Sequence, residues 1–404
     1  MPLVDVASAR ALILDACPRL PAVTVPLGEA LGMVTTTAIH APEPVPPFAN
    51  TAMDGYAVRA ADTAAAPVEL RVVDSLAAGS APRVAVGGGE AVRIMTGAPL
   101  PPGADAVVMV ERTSVAGGGR AVRISEAAQP GDHVRGAGED LRAGEEVFPA
   151  GTVLSPGHLG VVASTGRTSV EVVRRARVGV LSTGDELVDD GGPLRPGQIR
   201  DSNRPTLLAL VRQAGCEPVD LGRCGDTEAQ IRHALEGGVA ACDAVVTSGG
   251  VSVGDFDYVK VVLDELSGGS MQWLQIAVKP AKPLAFGLAG RTPVFGLPGN
   301  PVSSMVSFEL FARPALLAMM GHTSLDRPRR QAVADEPLVR RPDGKLHLAR
   351  VRVAPGDDGR YHVRSAGGQG SHMLRAMAMS NALALLPDGT GVQQGGNVEV
   401  MFLS

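Results

Sequence analysis

The sequence predicts a multidomain α/β protein with a doubly wound, mainly parallel sheet, a β-rich module and a small C-terminal β-barrel. Three observations support this fold class. Strands alternate with helices over residues 175–320, which indicates a parallel sheet with helices on both faces. Short β-type runs separated by Gly and Pro fill residues 47–142, and similar runs return from about residue 326. The length of 404 residues allows about two to four such domains.

Residues 175–320 contain the elements of the predicted parallel sheet. Strand "RVGVLS" ends at "TGDEL", and helix "RPTLLALVRQAG" follows, with Pro205 in its first turn and Gly215 as its stop. Strand "EPVDLG" leads to Asp226, and "TEAQIRHALEGG" is typical of a helix opened by a capping box of Thr227 and Gln230. Strand "DAVVTSGG" then precedes helix "VKVVLDEL". Because "VGVL" and "AVV" are entirely apolar, we expect these strands to be covered on both faces.

The remaining elements follow from shorter signals. Residues 6–17 are typical of a short amphipathic helix, and the Pro-rich segment 41–58 indicates a domain boundary. The runs "VELRVVDSL", "AVRIMTG", "ADAVVMVE" and "RAVRIS" predict the β-rich module, and a short helix follows before residue 170. The C-terminal runs "KLHLARVRVAP", "GRYHVRSA", "ALALLP" and "NVEVMFL" predict a small sandwich or barrel.

Composition limits the classes of partner. A net charge of -5 and an aromatic content of 3% argue against a nucleic-acid partner or an anionic membrane surface. The four cysteines show no CxxC pairing and fit a reducing compartment better than a disulfide framework. No stretch approaches the ~18 apolar residues of a membrane span. We therefore expect a soluble cytoplasmic protein.

Two lysines in "VKPAKPLAFG", Lys279 and Lys282, are each followed directly by proline. Proline favours extended or polyproline II backbone, in which residues three apart share a face at roughly 9 Å. We therefore predict two preordered cations that suit an oxyanion or a diphosphate. The alternative is two solvated lysines on a Pro-rich loop.

Acidic and Gly-rich segments follow three strands of the predicted sheet. "STGDE" carries Asp185 and Glu186, Asp226 follows the second strand, and Gly249 and Gly250 follow the third. Ligands of open α/β sheets bind at this edge, where a Gly-rich turn suits phosphate and neighbouring carboxylates suit Mg²⁺. The same loop continues to Asp255 and Asp257. Taken singly, the glycines could form an ordinary tight turn, Asp226 could cap the next helix, and "DE" could be a solvated turn.

Further loops and missing motifs narrow the chemistry. Pro298 and Pro301 bracket a rigid turn that enters a helix N-terminus, which is a potential anion site. Turns and loops are predicted for three further segments, "NTAMDGYAV", "RIMTGAPLPPGAD" and "GED". The chain lacks GxxxxGK[ST], GxGxxG in a βαβ setting, HExxH and a Cys/His cluster. A Walker-type NTPase and a dinucleotide oxidoreductase are therefore disfavoured.

Taken together, these segments resemble the molybdopterin molybdenumtransferases, the MoeA family, which include the C-terminal domain of gephyrin. The matching motifs occur in order from about residue 5 to the C-terminus: "NTAMDGYAV", "RIMTGAPLPPGADAVVMVE", "RGAGED", "STGDEL", "TSGGVSVGDFDY", "KPAKP", "GLPGNPVSS" and "GQGSHML". The resemblance implies molybdenum cofactor biosynthesis, in which molybdate is ligated to adenylylated molybdopterin and AMP is released.

The resemblance also implies a domain plan and an assembly. An elongated chain would contain four domains: 1–26 with 170–325, 27–46 with 143–169, 47–142, and 326–404. Two chains would form a homodimer, with the active cleft between the α/β domain of one subunit and the β-rich module of the other. Transient contacts with molybdopterin adenylyltransferase and with acceptor molybdoenzymes are expected, and contacts with nucleic acid or membrane are not.

The resemblance assigns roles to positions that match the family motifs. Catalytic roles fall on Asp54, Thr96, Asp140, Glu186, Asp226, Asp257, Lys279 and Lys282. The first three would reach in from the second subunit, the lysines would bind molybdate or phosphate, and Glu186, Asp226 and Asp257 would hold Mg²⁺. Pterin-nucleotide binding falls on Ser248, Gly249, Gly250, Pro298, Pro301 and Ser371.

Two departures from the family and three alternatives remain. Gln275 stands where many members have lysine, and Ala281 stands where glycine is usual and should stiffen the loop. A molybdopterin adenylyltransferase would resemble residues 175–320 alone. A non-catalytic pterin-binding scaffold is a second alternative. A paralogue dedicated to tungsten or to one molybdoenzyme is the third.

Overall fold

The computed structural model describes residues 2–250 and 258–403. Its contacts divide the chain into two compact units. The first comprises Met1–Val23, Gly32–Val34 and Val173–Ser404, and the second comprises Thr24–Leu31 and Thr35–Val172. The first unit therefore contains both the predicted α/β region and the C-terminal barrel. The finer division into four domains stays a prediction.

A mixed, mainly parallel sheet forms the centre of the first unit. Within the described residues its six strands lie in the order Glu217–Cys224, Arg177–Thr183, Ala244–Ser248, Thr292–Leu297, Pro283–Ala289 and Gln272–Gln275. The first four are parallel to one another, and the fifth is antiparallel to both of its neighbours. The predicted fold class is confirmed, and the antiparallel edge is an addition that the sequence pattern did not indicate.

The two faces of this sheet are covered by different helices. Val180 and Val246 pack on one side with Leu207, while Leu181 and Val245 pack on the other with a second set of helical residues. Adjacent strand residues point to opposite faces, so an entirely apolar run fills two cores at once. Burial of one such side chain contributes about 1.5–3 kcal/mol. The helices of the first unit are Val6–Ala16, Asn203–Gln213, Glu228–Ala241, Tyr258–Leu266, Pro301–Ser307, Arg313–Met319 and Leu374–Ala378, with a π-helical segment at Phe308–Ala312.

One helix prediction is confirmed, and one prediction of a helix cap is wrong. The N-terminal helix is confirmed at Val6–Ala16, where the Asp5 carboxylate accepts the Ser8 backbone N–H at 2.9 Å. The capping box of Thr227 and Gln230 is wrong: Thr227 occupies the N-cap, but its side chain forms no capping bond within the described structure. The Gln230 side chain instead accepts the Gly225 N–H at 3.0 Å, so it stabilises the turn before the helix.

The helical stretch Pro301–Met319 passes a length and composition test for a membrane span, alone among the described helices. Its most apolar window has 83% of its residues buried inside the protein, as in the core helix of a soluble protein. Phe308 and Phe311 on this stretch belong to the main core of the first unit. The apolar character of the stretch is thus explained by packing.

The C-terminal part of the first unit closes into a barrel. Its strands in the described chain are Arg329–Ala334, Leu346–Pro355, Tyr361–Ser365, Ala382–Leu386 and Asn397–Phe402. Pairing of Leu346–Pro355 with both Tyr361–Ser365 and Ala382–Leu386 completes the ring, which confirms the predicted barrel. The short strand Val278–Lys279 also adds to Leu346–Pro355 in parallel. Small pairs complete the unit: Leu187–Val188 with Ile199–Arg200, and Leu338–Val339 with Gly391–Val392.

The second unit is β-rich, as predicted. Its larger sheet, within the described residues, has the order Ala106–Met109, Gly55–Val58, Glu90–Ile94, Val68–Leu76, Ala121–Ile124 and Thr113–Ala116. Asn50–Thr51 pairs with Val134–Arg135, and Ile39–His40 pairs with Glu146–Phe148. Ala22–Pro26 pairs with Ser169–Val173. The predicted short helix is Pro156–Ser164, opened by a capping box of Ser155 and His158.

Candidate functional site

The four parallel strands end at the same edge of the central sheet. The register pairs Thr183 with Cys224, Ser182 with Ser248, and Ser248 with Leu297. The turns that follow these strands contain most of the site residues predicted in the α/β region. The structure therefore brings these turns together, and the roles of their residues stay a prediction.

Asp185 and Asp226 hold two of these turns against each other. The Asp226 carboxylate accepts the Asp185 backbone N–H at 3.2 Å, and the Asp185 carboxylate accepts the Asp226 N–H at 3.1 Å. Asp226 therefore does not cap the following helix. Glu186 is exposed, and its carboxylate lies so close to Gly184 that a Cβ there would be 2.4 Å from Oε2.

The carboxylates at this edge provide the oxygen ligands that Mg²⁺ prefers. Glu186 and Asp226 are both exposed, and Mg²⁺ is usually bound by one or two carboxylates plus substrate phosphates. The oxygen donors of these two exposed side chains match the chemistry of such a site. Among residues 2–250 and 258–403 no cluster of three or more His, Cys, Asp or Glu side chains could hold a metal. The third predicted ligand, Asp257, lies outside the described residues, as does Asp255.

The turn after strand Ala244–Ser248 requires glycine at two positions. Gly249 has φ +98° and Gly250 has φ +69°. A Cβ on Gly249 would lie 2.9 Å from the Thr183 carbonyl oxygen, and one on Gly250 would lie 2.3 Å from the Val259 side chain. The Gly249 N–H donates to the Leu297 carbonyl at 3.1 Å, so this amide is already used within the sheet edge. Ser248 is 2% exposed.

The turn at 298–301 meets the loop that carries Ser371. Pro298 is buried, and Pro301 is the first residue of the helix Pro301–Ser307. The Val302 N–H donates to the Ser371 carbonyl at 3.1 Å. The predicted residues Pro298, Pro301 and Ser371 therefore lie in two adjoining segments.

The lysine segment does not adopt the predicted polyproline II conformation. Lys279 pairs with His347 of the barrel, the Lys279–Pro280 peptide is cis, and Ala281 has φ +81°. The Ile276 N–H donates to the Lys282 carbonyl at 2.6 Å, which closes a tight reversal of the chain. Strand pairing and this hydrogen bond override the local preference of the prolines. Both lysines are exposed, and Ala281 is buried in a backbone conformation that favours glycine.

Lys279 lines a cavity of about 420 Å³ between its own segment and the barrel, and Lys282 does not line it. Lys279 is joined there by three arginines, Arg340, Arg341 and Arg350, by one carboxylate, Asp343, and by Gln369. Arg340 is already paired with Asp343 and Asp388. The other three cationic groups of this lining have no carboxylate partner within the described structure. Such a cavity is suited to an oxyanion.

Arg350 was not identified from the sequence. It is 1% exposed, and one terminal nitrogen donates to the carbonyls of Gly368 and Gly370 at 3.0 and 3.1 Å. Its Nε atom is buried without a partner in the described structure, and burial lowers the pKa of this guanidinium. A buried donor without a partner costs about 1–3 kcal/mol, and Arg350 also lines the cationic cavity. In the run "HLARVRVAP" nothing distinguishes Arg350 from Arg352, which is exposed.

Asp54 and Thr96 form a second group, in the second unit. The Thr96 N–H and hydroxyl both donate to the same Asp54 carboxylate oxygen at 2.7 Å, and they hold the pKa of Asp54 below its usual value. Asp140 is exposed on the loop that follows strand Val134–Arg135. That strand pairs with Asn50–Thr51, which lies just before Asp54 in the chain. These three residues belong to a different unit from the sheet edge, so their meeting in one site stays a prediction.

Comparison with known proteins covers the whole chain. Three family models match: "MoeA N-terminal region (domain I and II)" at residues 4–166, "Probable molybdopterin binding domain" at 179–318, and "MoeA C-terminal region (domain IV)" at 333–403. The chain is 41% identical to molybdopterin molybdenumtransferase 2 of Mycobacterium tuberculosis over 391 residues, which cover 95% of both chains. It is 38% identical to the Haemophilus influenzae molybdopterin molybdenumtransferase, over 92% of this chain and 90% of that one. The solved molybdopterin biosynthesis MoeA protein of Pyrococcus horikoshii superposes with a TM-score of 0.81 at 30% identity, over 100% of both chains.

Proposed function

Because the chain belongs to the MoeA family of molybdopterin molybdenumtransferases, enzymes of molybdenum cofactor biosynthesis, we propose that it inserts molybdate into adenylylated molybdopterin and releases AMP. The two dithiolene sulfurs would replace two oxygens of molybdate, which leave as water with the two thiol protons and two protons from solvent. Water would cleave the phosphoanhydride bond, so that AMP leaves and the second phosphate stays on the pterin.

One observation carries this proposal. The loop 368–371 binds Arg350 of the cationic cavity through the Gly368 and Gly370 carbonyls, and it accepts the Val302 N–H through the Ser371 carbonyl. A cavity suited to an oxyanion therefore adjoins a turn at the ligand-binding edge of the α/β sheet. This arrangement supports a reaction that joins an oxyanion to a phosphate-bearing substrate.

We assign roles to the residues by their position and charge. Lys279 and Arg350 would neutralise the oxyanion, with Lys282 outside the cavity as a weaker contributor. Ser248, Gly249 and Gly250 would face the phosphates, and Pro298, Pro301 and Ser371 would form the adjoining wall. Glu186 and Asp226 would hold Mg²⁺, which neutralises phosphate charge when it is bound. The protein would act by positioning and electrostatic stabilisation, without a covalent intermediate on the chain.

The assembly is part of the same proposal. Asp54, Thr96 and Asp140 would complete the site from the second subunit of a homodimer. Large apolar side chains near Asp54 and Thr96 support the proposal that a second subunit covers this face. Four of them are each more than one-third exposed: Phe48, Met53, Met95 and Val110. The cytoplasm, with transient contacts to the adenylyltransferase and to acceptor molybdoenzymes, is the proposed setting. Nucleic acid and membrane are not proposed as partners.

The direct test is AMP release. Purified protein is incubated with adenylylated molybdopterin and Mg²⁺, with and without molybdate. Release that requires molybdate would support the transferase. Tight binding without release would indicate a scaffold, and release with tungstate in place of molybdate would indicate a tungsten-dedicated paralogue.

The cavity predicts different effects for the two lysines. Lys279→Ala should reduce molybdate-dependent AMP release by roughly 100-fold, since the loss of a charge-assisted contact costs about 1.5–3 kcal/mol. Lys282→Ala removes the same charge outside the cavity lining and should cost less than ~10-fold. Equal losses in the two variants, measured at saturating pterin nucleotide, would contradict this assignment.

A further inference from the structure

Asn203 begins the helix Asn203–Gln213 at the sheet edge, between two residues that are held in place. Asp201 is 9% exposed, and its carboxylate accepts the Ser182 hydroxyl at 3.2 Å and the Arg204 N–H at 3.1 Å. The Arg204 guanidinium also donates to both carboxylate oxygens of Asp220 at 2.8 Å. The backbone on each side of Asn203 is thus attached to neighbouring strands of the sheet.

The side-chain amide of Asn203 joins two turns of the candidate site. Its Nδ2 donates to the Ser248 hydroxyl oxygen at 2.6 Å and to the Gly299 carbonyl at 2.7 Å. Because a backbone carbonyl only accepts hydrogen bonds, the NH₂ group of the amide must face Gly299. Both amide protons are then used, which determines the orientation of the side chain.

This orientation directs the Ser248 hydroxyl. The hydroxyl has one proton to donate, and here its oxygen accepts from Asn203, so the proton remains available for another acceptor. Ser248 stands directly before the glycine turn at the end of its strand. A hydroxyl in this position is suited to donate to a phosphate oxygen.

A role for Asn203 in its own helix does not explain these contacts. The N-cap of the helix is Ser202, and the free N–H groups of a first helical turn need acceptors. The Asn203 side chain offers its donors to the two turns instead. Its hydrogen bonds therefore serve the site.

We propose that Asn203 is a positioning residue of the nucleotide site. It directs the Ser248 proton toward a phosphate oxygen of the pterin nucleotide and sets the spacing between the turns at 248–250 and 298–301. The inference rests on the proposed function, because the ligand is the diphosphate group of adenylylated molybdopterin.

A double-mutant cycle tests this role. Affinity for adenylylated molybdopterin is measured by calorimetry, without molybdate, for Asn203→Ala, Ser248→Ala and the double variant. Each single variant should bind ~10-fold more weakly, which corresponds to about 1.4 kcal/mol. The double variant should lose clearly less than the ~100-fold product of the two single losses, because the part of the Asn203 effect that passes through Ser248 is counted only once. KM should rise while kcat changes little.

Two further variants complete the experiment. Thr206→Ala removes a hydroxyl bond to the Ser202 carbonyl (2.8 Å) within the same helix and should leave the affinity unchanged. Asn203→Asp replaces the donors with a carboxylate that faces the Gly299 carbonyl and repels phosphate, so it should bind more weakly than Asn203→Ala. Unchanged affinity of Asn203→Ala, or a ~100-fold loss in the double variant, would overturn this inference alone. Failure of the unaltered chain to bind the pterin nucleotide would overturn the proposed function and this inference with it.

Discussion

Ala281 illustrates how one residue can depart from local preference. It is 2% exposed and has φ +81°, in the left-handed region where a side chain costs roughly 1–2 kcal/mol. From the sequence we expected alanine to stiffen this loop relative to glycine. The structure shows instead that the methyl group is accommodated by core packing in an unfavourable backbone conformation.

Replacement of Ala281 by Gly should change the free energy of unfolding by less than about 1 kcal/mol. The relief of ~1–2 kcal/mol of backbone cost roughly offsets the ~0.8 kcal/mol lost with one buried methyl group and the ~0.5–1 kcal/mol of added conformational entropy. Urea unfolding measures the difference.

Ala354→Gly is the matched control. Ala354 is exposed in the strand Leu346–Pro355, and glycine at a strand position lowers the free energy of unfolding by roughly 0.5–1 kcal/mol. Without a backbone cost at Ala281, Ala281→Gly would destabilise the protein by ~0.8 kcal/mol more than Ala354→Gly, because it also removes a buried methyl group.

At the scale of elements, the turns after the parallel strands define the site more than the strands do. The turn after Ala244–Ser248 lies so close to its neighbours that two glycines have no room for a side chain. A glycine within a helix can have open space around it instead. Gly237 in Glu228–Ala241 lacks a positive φ. Apart from its chain neighbours and the backbone of its own helix, no atom of the described residues lies within 4 Å of the position that a Cβ would occupy there.

The same substitution should therefore have opposite effects in these two elements. Gly250→Ala should destabilise the protein by at least ~2 kcal/mol, because the new methyl group overlaps Val259 and the backbone has a positive φ. Gly237→Ala should stabilise it by up to about 1 kcal/mol through helix propensity. Thermal unfolding and nucleotide binding are measured together, and a stable Gly250→Ala variant with normal binding would show that the turn relaxes.

At the scale of the whole molecule, the proposed site draws on both units. Asp54 and Thr96 lie in the second unit, and Lys279 lies in the first. If each proposed site of a homodimer is formed by the first unit of one subunit and the second unit of the other, two variants that are inactive alone can restore activity in a mixed dimer. A site formed within one chain cannot do this.

Mixing two inactive variants tests this arrangement. Asp54→Asn and Lys279→Ala should each be inactive alone, and subunit exchange should form heterodimers with one intact site. Random pairing makes half of the dimers heterodimers, and each heterodimer has one intact site out of two. If the two sites of a dimer work independently, AMP release should return to roughly one quarter of the normal value. A mixture of Asp54→Asn and Thr96→Ala should show no recovery. No recovery in the first mixture, with heterodimers present by mass spectrometry, would indicate a site within one subunit.

Much of the fold followed from local patterns. Apolar runs such as "VGVL" predicted strands covered on both faces, and strand order alone directed the Asp185, Asp226 and Gly249 turns to one edge. The capping box at Thr227 failed because Gln230 binds the preceding turn instead. A capping motif is a weak predictor because its side chains can form hydrogen bonds with several nearby backbone groups, and the sequence does not show which of these groups they bind.

The sequence by itself determined the family, the fold class and the turns at the sheet edge, because each depends on motifs and periodicities that are short along the chain. Only the tertiary structure decided the conformation of the lysine segment and the presence of Arg350 beside it. Lys279 is paired with a barrel strand, and Arg350 is held by the loop 368–371. Contacts between residues so far apart in sequence leave no local pattern, because they form only when separate elements pack together.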